Sequence, residues 1–176
     1  GLYLLDDCPA REHHLDDLRG AIGYVPQDAF LFSESIADNI RFGAKEATIH
    51  EIQEAAKTAY VHHNIEGFDK GYETILGERG ITLSGGQKQR VSIARALIKN
   101  PKILLLDDCL SAVDTETEEA ILSNLAGVKD QKTAIIVSHR VSTVKNATKI
   151  LVMDQGRIIQ QGAHNELIKT PGYYKA

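Results

Sequence analysis

One glycine-rich segment of the sequence has the composition of a phosphate-binding site. Leu83-Ser84-Gly85-Gly86-Gln87 stands immediately before a run with helical periodicity, so it is expected at the start of a helix. A helix N-terminus presents free backbone N–H groups and the positive end of the helix dipole, and both favour a phosphate. The two glycines would let the backbone approach the anion closely, and the Ser84 hydroxyl adds a donor. A glycine-rich helix cap without a ligand has the same composition, so this segment alone does not distinguish the two.

Acidic residues and a histidine follow two apolar runs further along the chain. Asp107 and Asp108 close the run Ile103–Leu106, and His139 comes shortly after Thr133–Val137. Continuous apolar runs of this length are typical of strands buried on both faces of a parallel sheet. The carboxyl ends of such strands meet at one edge, where open α/β sheets place their ligand chemistry. We therefore expect these polar groups at that edge, although Asp107 alone would also fit a solvated acid at a strand end.

The elements that must position these residues alternate between strands and helices. Strands are predicted over 1–5, 21–25, 102–106 and 133–137, with a terminal hairpin over 149–153 and 157–161. Helices are predicted from Thr48, where Glu51 completes a possible capping box, from Ser84 to Asn100, and over 115–126. The alternation indicates an α/β core, and the helical run over 43–100 interrupts it like an inserted subdomain.

Composition and charge exclude several classes of protein. The chain has 176 residues, of which 43% are hydrophobic and 25% charged, which excludes disordered, collagen-like and coiled-coil chains. A formal net charge of −4 gives no basic field that would attract nucleic acid. No apolar stretch is long enough to span a bilayer, and two cysteines are too few for a disulfide framework. The chain begins with Gly1 and its only methionine is Met153, so we expect it to be part of a longer polypeptide.

Five segments, in a fixed order along the chain, resemble the motifs of ATP-binding-cassette (ABC) ATPases. Leu83–Gln87 resembles the signature sequence, and the others are similar to the Q-loop (24–28), the Walker B strand (103–108), the D-loop (111–114) and the H-loop (138–140). The similarity continues to the segment 162–167 and covers the whole chain. It implies a partial P-loop-NTPase (RecA-like) α/β core with a mostly parallel sheet, formed by 1–42 and 101–176. The same resemblance implies an inserted α-helical signature subdomain over 43–100.

The resemblance also implies a role for each matched residue in the hydrolysis of ATP with Mg²⁺. Asp107 would hold the metal through water, and Gln27 would reach both the metal and the attacking water. Asp108 would polarise that water, and His139 would hydrogen-bond the terminal phosphate. Two further sets of residues complete the implied site. The signature residues, which would contact ATP held by a second nucleotide-binding domain, are Ser84, Gly85, Gly86 and Gln87. The D-loop residues are Ser111 and Asp114.

Asp108 departs from the family pattern, which usually has glutamate at this position. Aspartate is shorter by one methylene, so its carboxylate would fall about 1 Å short of the attacking water, and misplacement on that scale can lower a rate about 10²-fold. The aspartate resembles that of some multidrug-exporter half-transporters, in which a weakened site is paired with a competent one. We therefore expect slow hydrolysis at the chain's own site, and both homodimer and heterodimer remain open.

The P-loop pattern G-x-x-x-x-G-K-[S/T] does not occur in the sequence, which contains no Gly-Lys dipeptide. In this family its backbone amides and lysine hold the β- and γ-phosphates. The resemblance places the motif a short way before the strand over 1–5, together with a strand and a helix of the core. We expect this chain alone to bind and hydrolyse ATP poorly and to expose apolar surface on its sheet. A natural remnant without the P-loop, acting as a binding or regulatory module, is the alternative.

The segment Gly77-Glu78-Arg79-Gly80 indicates which kind of ABC protein this is. It resembles the X-loop of exporters, in which Glu78 and Arg79 would contact the coupling helices of the membrane domain. The spacing of Q-loop and signature leaves room for a compact helical subdomain only, which excludes cassettes with long coiled coils. The resemblance therefore implies an exporter motor domain at the cytoplasmic face of the cell (inner) membrane. Its partners would be a second nucleotide-binding domain and, through the Q-loop and X-loop, a transmembrane domain of the same polypeptide.

Overall fold

A computed structural model describes residues 4–77, 82–127 and 132–175. The strands are β1 (Leu4–Leu5), β2 (Cys8–Pro9), β3 (Ile22–Val25), β4 (Ile103–Asp107), β5 (Thr133–Val137), β6 (Ile150–Asp154) and β7 (Arg157–Gly162). The helices are α1 (Leu15–Ala21), α2 (Ile36–Arg41), α3 (Ile49–Thr58), α4 (His62–Glu66), α5 (Gly85–Leu97), α6 (Thr115–Gly127), α7 (Val141–Val144) and α8 (His164–Leu167). Within the described ranges, no helix is long and apolar enough to cross a bilayer.

The chain divides into two compact units, Gly1–Ile135 and Ile136–Ala176. The principal sheet has the strand order β3-β4-β5, and the boundary between the units falls inside β5. β3 and β4 are parallel, with Ile22 opposite Ile103 and Val25 opposite Leu106. Parallel neighbours require a crossover connection, which the helical segment between them supplies. This architecture confirms the predicted α/β fold with a parallel sheet.

Helix α5 is the centre of helical packing in the first unit. Val91 and Ala94 are fully buried on it, whereas Leu97 is only half-buried. Helices α2 and α3 pack against α5 and contribute Ile40 and Ile52, both with no exposed surface. Full burial of a side chain of this size stabilises the fold by about 1.5–3 kcal/mol. The signature segment is therefore mounted on a rigidly packed helix.

A close approach between α5 and β3 depends on Gly23. A Cβ atom at this position would lie 2.8 Å from the Cγ of Pro101 and 3.0 Å from the carbonyl oxygen of Ala96. The chain leaves α5 earlier than the sequence predicted, since the helix ends at Leu97 and Asn100 has a left-handed φ of 48°. That reversal just before Pro101 directs the chain into β4.

Two helices of the first unit begin with the same reciprocal cap. In α3 the Thr48 hydroxyl accepts a hydrogen bond from the Glu51 N–H, and the Glu51 carboxylate accepts one from the Thr48 N–H. In α5 the residues Ser84 and Gln87 form the equivalent pair. The capping box predicted at Thr48 is thus confirmed. Each arrangement satisfies backbone donors that a helix start leaves without partners.

Burial of the sheet differs from the sequence prediction. In β4 the residues Leu104 and Leu106 are buried while their neighbours are only half-buried, and in β5 Ile135 and Val137 are 47% and 51% exposed. The prediction of burial on both faces is wrong for β5, because a continuous apolar run does not reveal which faces are covered. Tyr24 of β3 is also exposed. Within the first unit, Tyr24 and Ile135 are thus large side chains left exposed on the sheet, where exposed apolar surface was expected.

The second unit contains the predicted hairpin. β6 and β7 are antiparallel around a turn in which Gln155 and Gly156 both have positive φ, as two-residue hairpin turns of type I′ require. Ile150, Leu167 and Tyr174 form its small buried cluster. The Tyr174 hydroxyl lies 2.9 Å from Nδ1 of His164, which ties the C-terminal segment to α8.

Candidate functional site

The signature segment forms the N-terminus of α5. The Ser84 Oγ accepts a hydrogen bond from the Gln87 N–H at 3.2 Å, and the Gln87 Oε1 accepts one from the Ser84 N–H at 2.9 Å. The first-turn N–H groups of an α-helix have no acceptor inside the helix. The first turn of α5 also contains no acidic residue, whereas those of α3 and α6 do. The positive end of α5 is therefore not neutralised by its own side chains, which suits an external anion.

The two signature glycines contact the D-loop. A Cβ on Gly86 would lie 2.9 Å from the Ala112 carbonyl oxygen, a distance that real Cβ atoms essentially never show. A Cβ on Gly85 would lie 3.6 Å from the Ala112 side chain, an ordinary van der Waals contact. Gly86 is thus required by packing within the chain, a role that the sequence prediction, based on access for an anion, did not include.

Hydrogen bonds fix the D-loop to α5 on one side and to α6 on the other. Gln89 of α5 is buried, and its Oε1 accepts a hydrogen bond from the Ala112 N–H at 3.3 Å. On the other side, Asp114 Oδ1 accepts a hydrogen bond from the Thr117 N–H at 2.9 Å, which caps α6 and lowers the pKa of Asp114. Signature and D-loop, predicted separately, are therefore neighbours. The sequence prediction missed Gln89, although its spacing of three from Gly86 places both on one helix face.

Asp107 and Asp108 lie at the carboxyl end of β4. The Tyr24 hydroxyl, on the neighbouring strand, donates a hydrogen bond to Asp107 Oδ2 at 3.4 Å, and partial desolvation together with the Asp107 carboxylate raises the pKa of Tyr24. Asp108 has a left-handed φ of 44°, a conformation that aspartate adopts more readily than most residues. Its carbonyl oxygen accepts hydrogen bonds from the N–H and hydroxyl of Ser111. The chain therefore turns sharply from the strand into the D-loop.

Gln27 is an exposed residue that follows the end of β3. Since β3 and β4 are parallel neighbours, Gln27 and Asp107 leave the sheet at the same edge. The described residues contain no cluster of three or more His, Cys, Asp and Glu side chains that could hold a metal by itself. Mg²⁺ usually binds through one or two carboxylates with water and substrate phosphates, and it prefers oxygen donors. The carboxylate of Asp107 and the amide oxygen of Gln27 fit that chemistry.

His139 belongs to the second unit, where its side chain is exposed. The preceding Ser138 accepts a hydrogen bond from the Arg140 N–H at 3.0 Å and donates one to the buried Thr143 at 3.2 Å. This short turn between β5 and α7 fixes the backbone on both sides of His139. Glu78 and Arg79, the predicted X-loop residues, lie outside the described residues.

Comparisons with known proteins agree with this geometry. A family model described as ABC transporter matches residues 1–111. The probable multidrug resistance ABC transporter ATP-binding/permease protein YheI of Bacillus subtilis is 50% identical over 99% of this chain and 30% of its own length. The ATP-dependent lipid A-core flippase 1 of Colwellia psychrerythraea is 46% identical over 99% of the chain and 29% of its own length.

One solved structure resembles this chain in both sequence and fold. A bacterial Atm1-family ABC exporter with ATP bound superposes with a TM-score of 0.94 at 45% identity, over 99% of this chain and 31% of that one. The chain spans about 30% of the length of the curated relatives it matches. With an ABC family match over more than half of its residues and the fold of an ABC exporter's ATPase region, this chain belongs to the ABC transporter family.

Proposed function

We propose that this chain is part of the ATP-hydrolysing motor of an ABC exporter. The observation that carries the proposal is the N-terminus of α5, which has a Ser84 cap, an unneutralised first turn and direct packing against the D-loop. Such a helix end is suited to bind the phosphates of a nucleotide. Relatives named as a multidrug resistance ABC transporter and an ATP-dependent lipid A-core flippase, and the solved structure of an ABC exporter, support the direction of transport.

In the proposed mechanism ATP lies between two nucleotide-binding domains. Ser84, Gly85, Gly86 and Gln87 of one domain contact the phosphates of ATP held by the other, with Ser111 and Asp114 at the same interface. Closing the two domains orders the nucleotide and excludes bulk water, so that the γ-phosphate and one attacking water are placed for an in-line displacement. The motion is passed to the membrane domain, which changes its access from inside to outside.

The proposed chemistry uses residues at the edge of the sheet. Asp107 and Gln27 would hold Mg²⁺, which when bound neutralises charge on the transferring phosphoryl group. Asp108 would accept a hydrogen bond from the attacking water, and Gln27 would orient the same water. His139 would donate a hydrogen bond to the terminal phosphate. Because the carboxylate of Asp108 is short, we propose a slow site that acts beside a competent site of a partner domain.

The rest of the proposed assembly is a membrane protein. The Gln27 segment and the Glu78-Arg79 segment would contact a transmembrane domain of the same polypeptide, and the nucleotide-binding domains would lie at the cytoplasmic face. Within this chain, 1–42 with 101–176 would form the core and 43–100 the helical subdomain. The P-loop pattern is not among the 176 residues, so we propose that these residues alone bind ATP weakly.

The matched caps of α3 and α5 provide the test. Ser84→Ala and Thr48→Ala each remove one capping hydroxyl and should each lower stability by about 1 kcal/mol. In the complete polypeptide that carries this chain, ATPase activity should fall at least about tenfold for Ser84→Ala and stay near wild type for Thr48→Ala. Equal activity losses in the two variants would show that the Ser84 hydroxyl acts only on folding, and the proposed phosphate contact would be wrong.

A further inference from the structure

Arg95 lies in α5, far along the helix from the signature, and its guanidinium is directed at the segment that follows the Q-loop. Its Nε donates to the Asn39 carbonyl oxygen at 2.7 Å, its Nη2 to Asn39 Oδ1 at 2.9 Å, and its Nη1 to the Phe30 carbonyl oxygen at 2.8 Å. Three acceptors on two residues use the planar fork of an arginine, which a lysine cannot reproduce.

Asn39 extends this contact to the next residues of the segment. Its side chain is buried and accepts a hydrogen bond from the Phe32 N–H at 2.8 Å, and it donates to the carbonyl oxygens of Phe32 and Ser35, both at 3.0 Å. Both backbone groups of Phe32 are therefore bonded to a side chain rather than to a strand. The segment Phe30–Ser35 lies outside the helices and strands. Its end is paired with the chain at Ile75 through an isolated bridge at Ser35 and a hydrogen bond from the Leu76 N–H to the Glu34 carbonyl oxygen, whereas the backbone at Phe30 and Phe32 is held by Arg95 and Asn39.

The guanidinium is also enclosed by aromatic rings. Its Cζ lies 5.4 Å from the ring centroid of Phe32 and 5.9 Å from that of Phe42, within the range of cation–π attraction. Burial lowers the pKa of Arg95 from its ordinary value. The ion pairs found within the described residues do not include Arg95, so carbonyl oxygens, an amide and rings orient this cation.

A further contact fixes the chain beside Arg95. A Cβ on Gly43 would collide with the Arg95 carbonyl oxygen, so the chain that leaves α2 passes directly over α5 at this level. Helix α2 and the segment before it are thus attached to α5 at the same residue.

Arg95 is well separated from the signature on the same helix. The distance along α5 from Ser84 to Arg95 is roughly 16 Å at 1.5 Å per residue, so Arg95 does not reach the signature itself.

We propose that Arg95 is a positioning residue, which fixes the Phe30–Ser35 segment to the signature helix so that Gln27 and the signature respond together to nucleotide. The inference rests on the proposed motor function, in which Gln27 acts at the attacking water and Ser84 at the phosphates. Arg95 touches neither group and acts only through the segment that it holds. Loss of Arg95 should therefore affect the chemical step more than the binding of ATP.

Lys99 provides a matched control. Its Nζ donates to the carbonyl oxygens of Arg19 at 2.9 Å and Ile22 at 2.8 Å, and so it ties the end of α1 to the chain just after α5. It is a second cation bonded to carbonyl oxygens in the same region, but it does not contact the Phe30–Ser35 segment. Of the two variants at Arg95, Arg95→Lys keeps the positive charge but removes the planar guanidinium. Arg95→Met removes the charge and all the hydrogen-bond donors but keeps an unbranched apolar side chain.

The first measurement is amide hydrogen exchange in the complete polypeptide. For Arg95→Lys and Arg95→Met, we expect exchange of the Phe32 amide and its neighbours to be at least about tenfold faster than in wild type, with Lys99→Met close to wild type over this segment. Unchanged exchange in Arg95→Lys would overturn the proposal. If Arg95→Met does not fold, Arg95→Lys still decides the result. Hydrogen exchange does not require ATP hydrolysis. It therefore tests whether Arg95 fixes the Phe30–Ser35 segment independently of whether the proposed motor function is correct.

The second measurement separates positioning from general stability. With ATP as substrate, Arg95→Lys should lower kcat about tenfold and leave KM within about twofold of wild type, because nucleotide binding uses other residues. Lys99→Met, at a comparable loss of thermal stability, should change neither constant by more than about twofold. Parallel changes in both variants, or a rise in KM without a fall in kcat, would overturn the role assigned to Arg95.

Discussion

Two features of Asp108 determine how its replacement by glutamate should act. Its backbone is left-handed, which aspartate tolerates better than longer side chains do, and its carboxylate is one methylene shorter than the glutamate usual in the family. When hydrolysis at the partner's site is blocked, we expect Asp108→Glu in the complete polypeptide to raise the ATPase rate at this chain's own site by up to about 10²-fold, reduced by any cost of backbone strain. Phosphate release under saturating ATP measures it, with Asp108→Asn as the variant that should be slower than wild type. An unchanged rate in Asp108→Glu would contradict the proposed slow site.

Other single residues show which kinds of role a sequence can reveal. The helix-capping position of Ser84 was predicted, since a hydroxyl before a helical run has a local signature. The contact of Gln89 with Ala112 and that of Tyr24 with Asp107 were not predicted, because each joins residues distant in sequence. The proposed roles of Asp107, Asp108, Gln27 and His139 in hydrolysis stay predictions.

At the scale of elements, the contact between α5 and the D-loop predicts unequal effects of two similar substitutions. Gly86→Ala would force a Cβ against the backbone of Ala112 and should destabilise the chain by about 1–3 kcal/mol. Gly85→Ala meets only an ordinary contact and gains helix propensity, so its effect should be within about 1 kcal/mol of zero. Denaturant unfolding of both variants provides the comparison. Equal destabilisation would contradict the described packing of α5 on the D-loop.

The capping boxes of α3 and α5 should differ in their response to pH. Hydrogen bonds from the Thr48 backbone and hydroxyl lower the pKa of Glu51 below 4.5, whereas Gln87 has no titratable group. Because the folded-state pKa is the lower one, ionised Glu51 stabilises α3 above about pH 4.5, and this contribution is lost as the pH falls through the folded-state pKa. The difference in Tm between wild type and Glu51→Ala should therefore shrink as the pH is lowered from 7 through the folded-state pKa of Glu51. For Gln87→Ala the difference should stay constant, and a constant difference in both variants would contradict the assignment.

The elements themselves were predicted with different success. Strand β5 has the predicted bounds, and α5, α6 and the hairpin were found with small shifts at their ends, because caps, glycines and apolar periodicity are local signals. Burial of β5 was predicted wrongly, since coverage of a strand depends on elements distant in sequence. The attachment of the Phe30–Ser35 segment to Arg95 had no local signal either, because the two lie on opposite sides of α2, α3 and α4 in the sequence.

At the scale of the whole molecule, the order of motifs gave the family and the fold, both of which the comparisons and the parallel sheet confirm. Calorimetry of the 176 residues alone tests the proposal that they bind ATP weakly. We expect a Kd above about 0.1 mM by calorimetry, which corresponds to a binding free energy weaker than about −5.5 kcal/mol. A Kd well below that value would contradict the proposal that tight binding needs the P-loop.

If this chain contributes to Mg²⁺-dependent hydrolysis of ATP, the carboxylate of Asp107 should be required for the rate. Phosphate release is measured for the complete polypeptide, wild type and Asp107→Asn, over a series of Mg²⁺ concentrations. Asparagine keeps the size of Asp107 but removes the charge that would hold the metal. With hydrolysis at any partner's site blocked, we expect Mg²⁺-dependent release in wild type and at least about a tenfold loss in Asp107→Asn. No hydrolysis in wild type, or equal rates and equal Mg²⁺ dependence in both proteins, would contradict it.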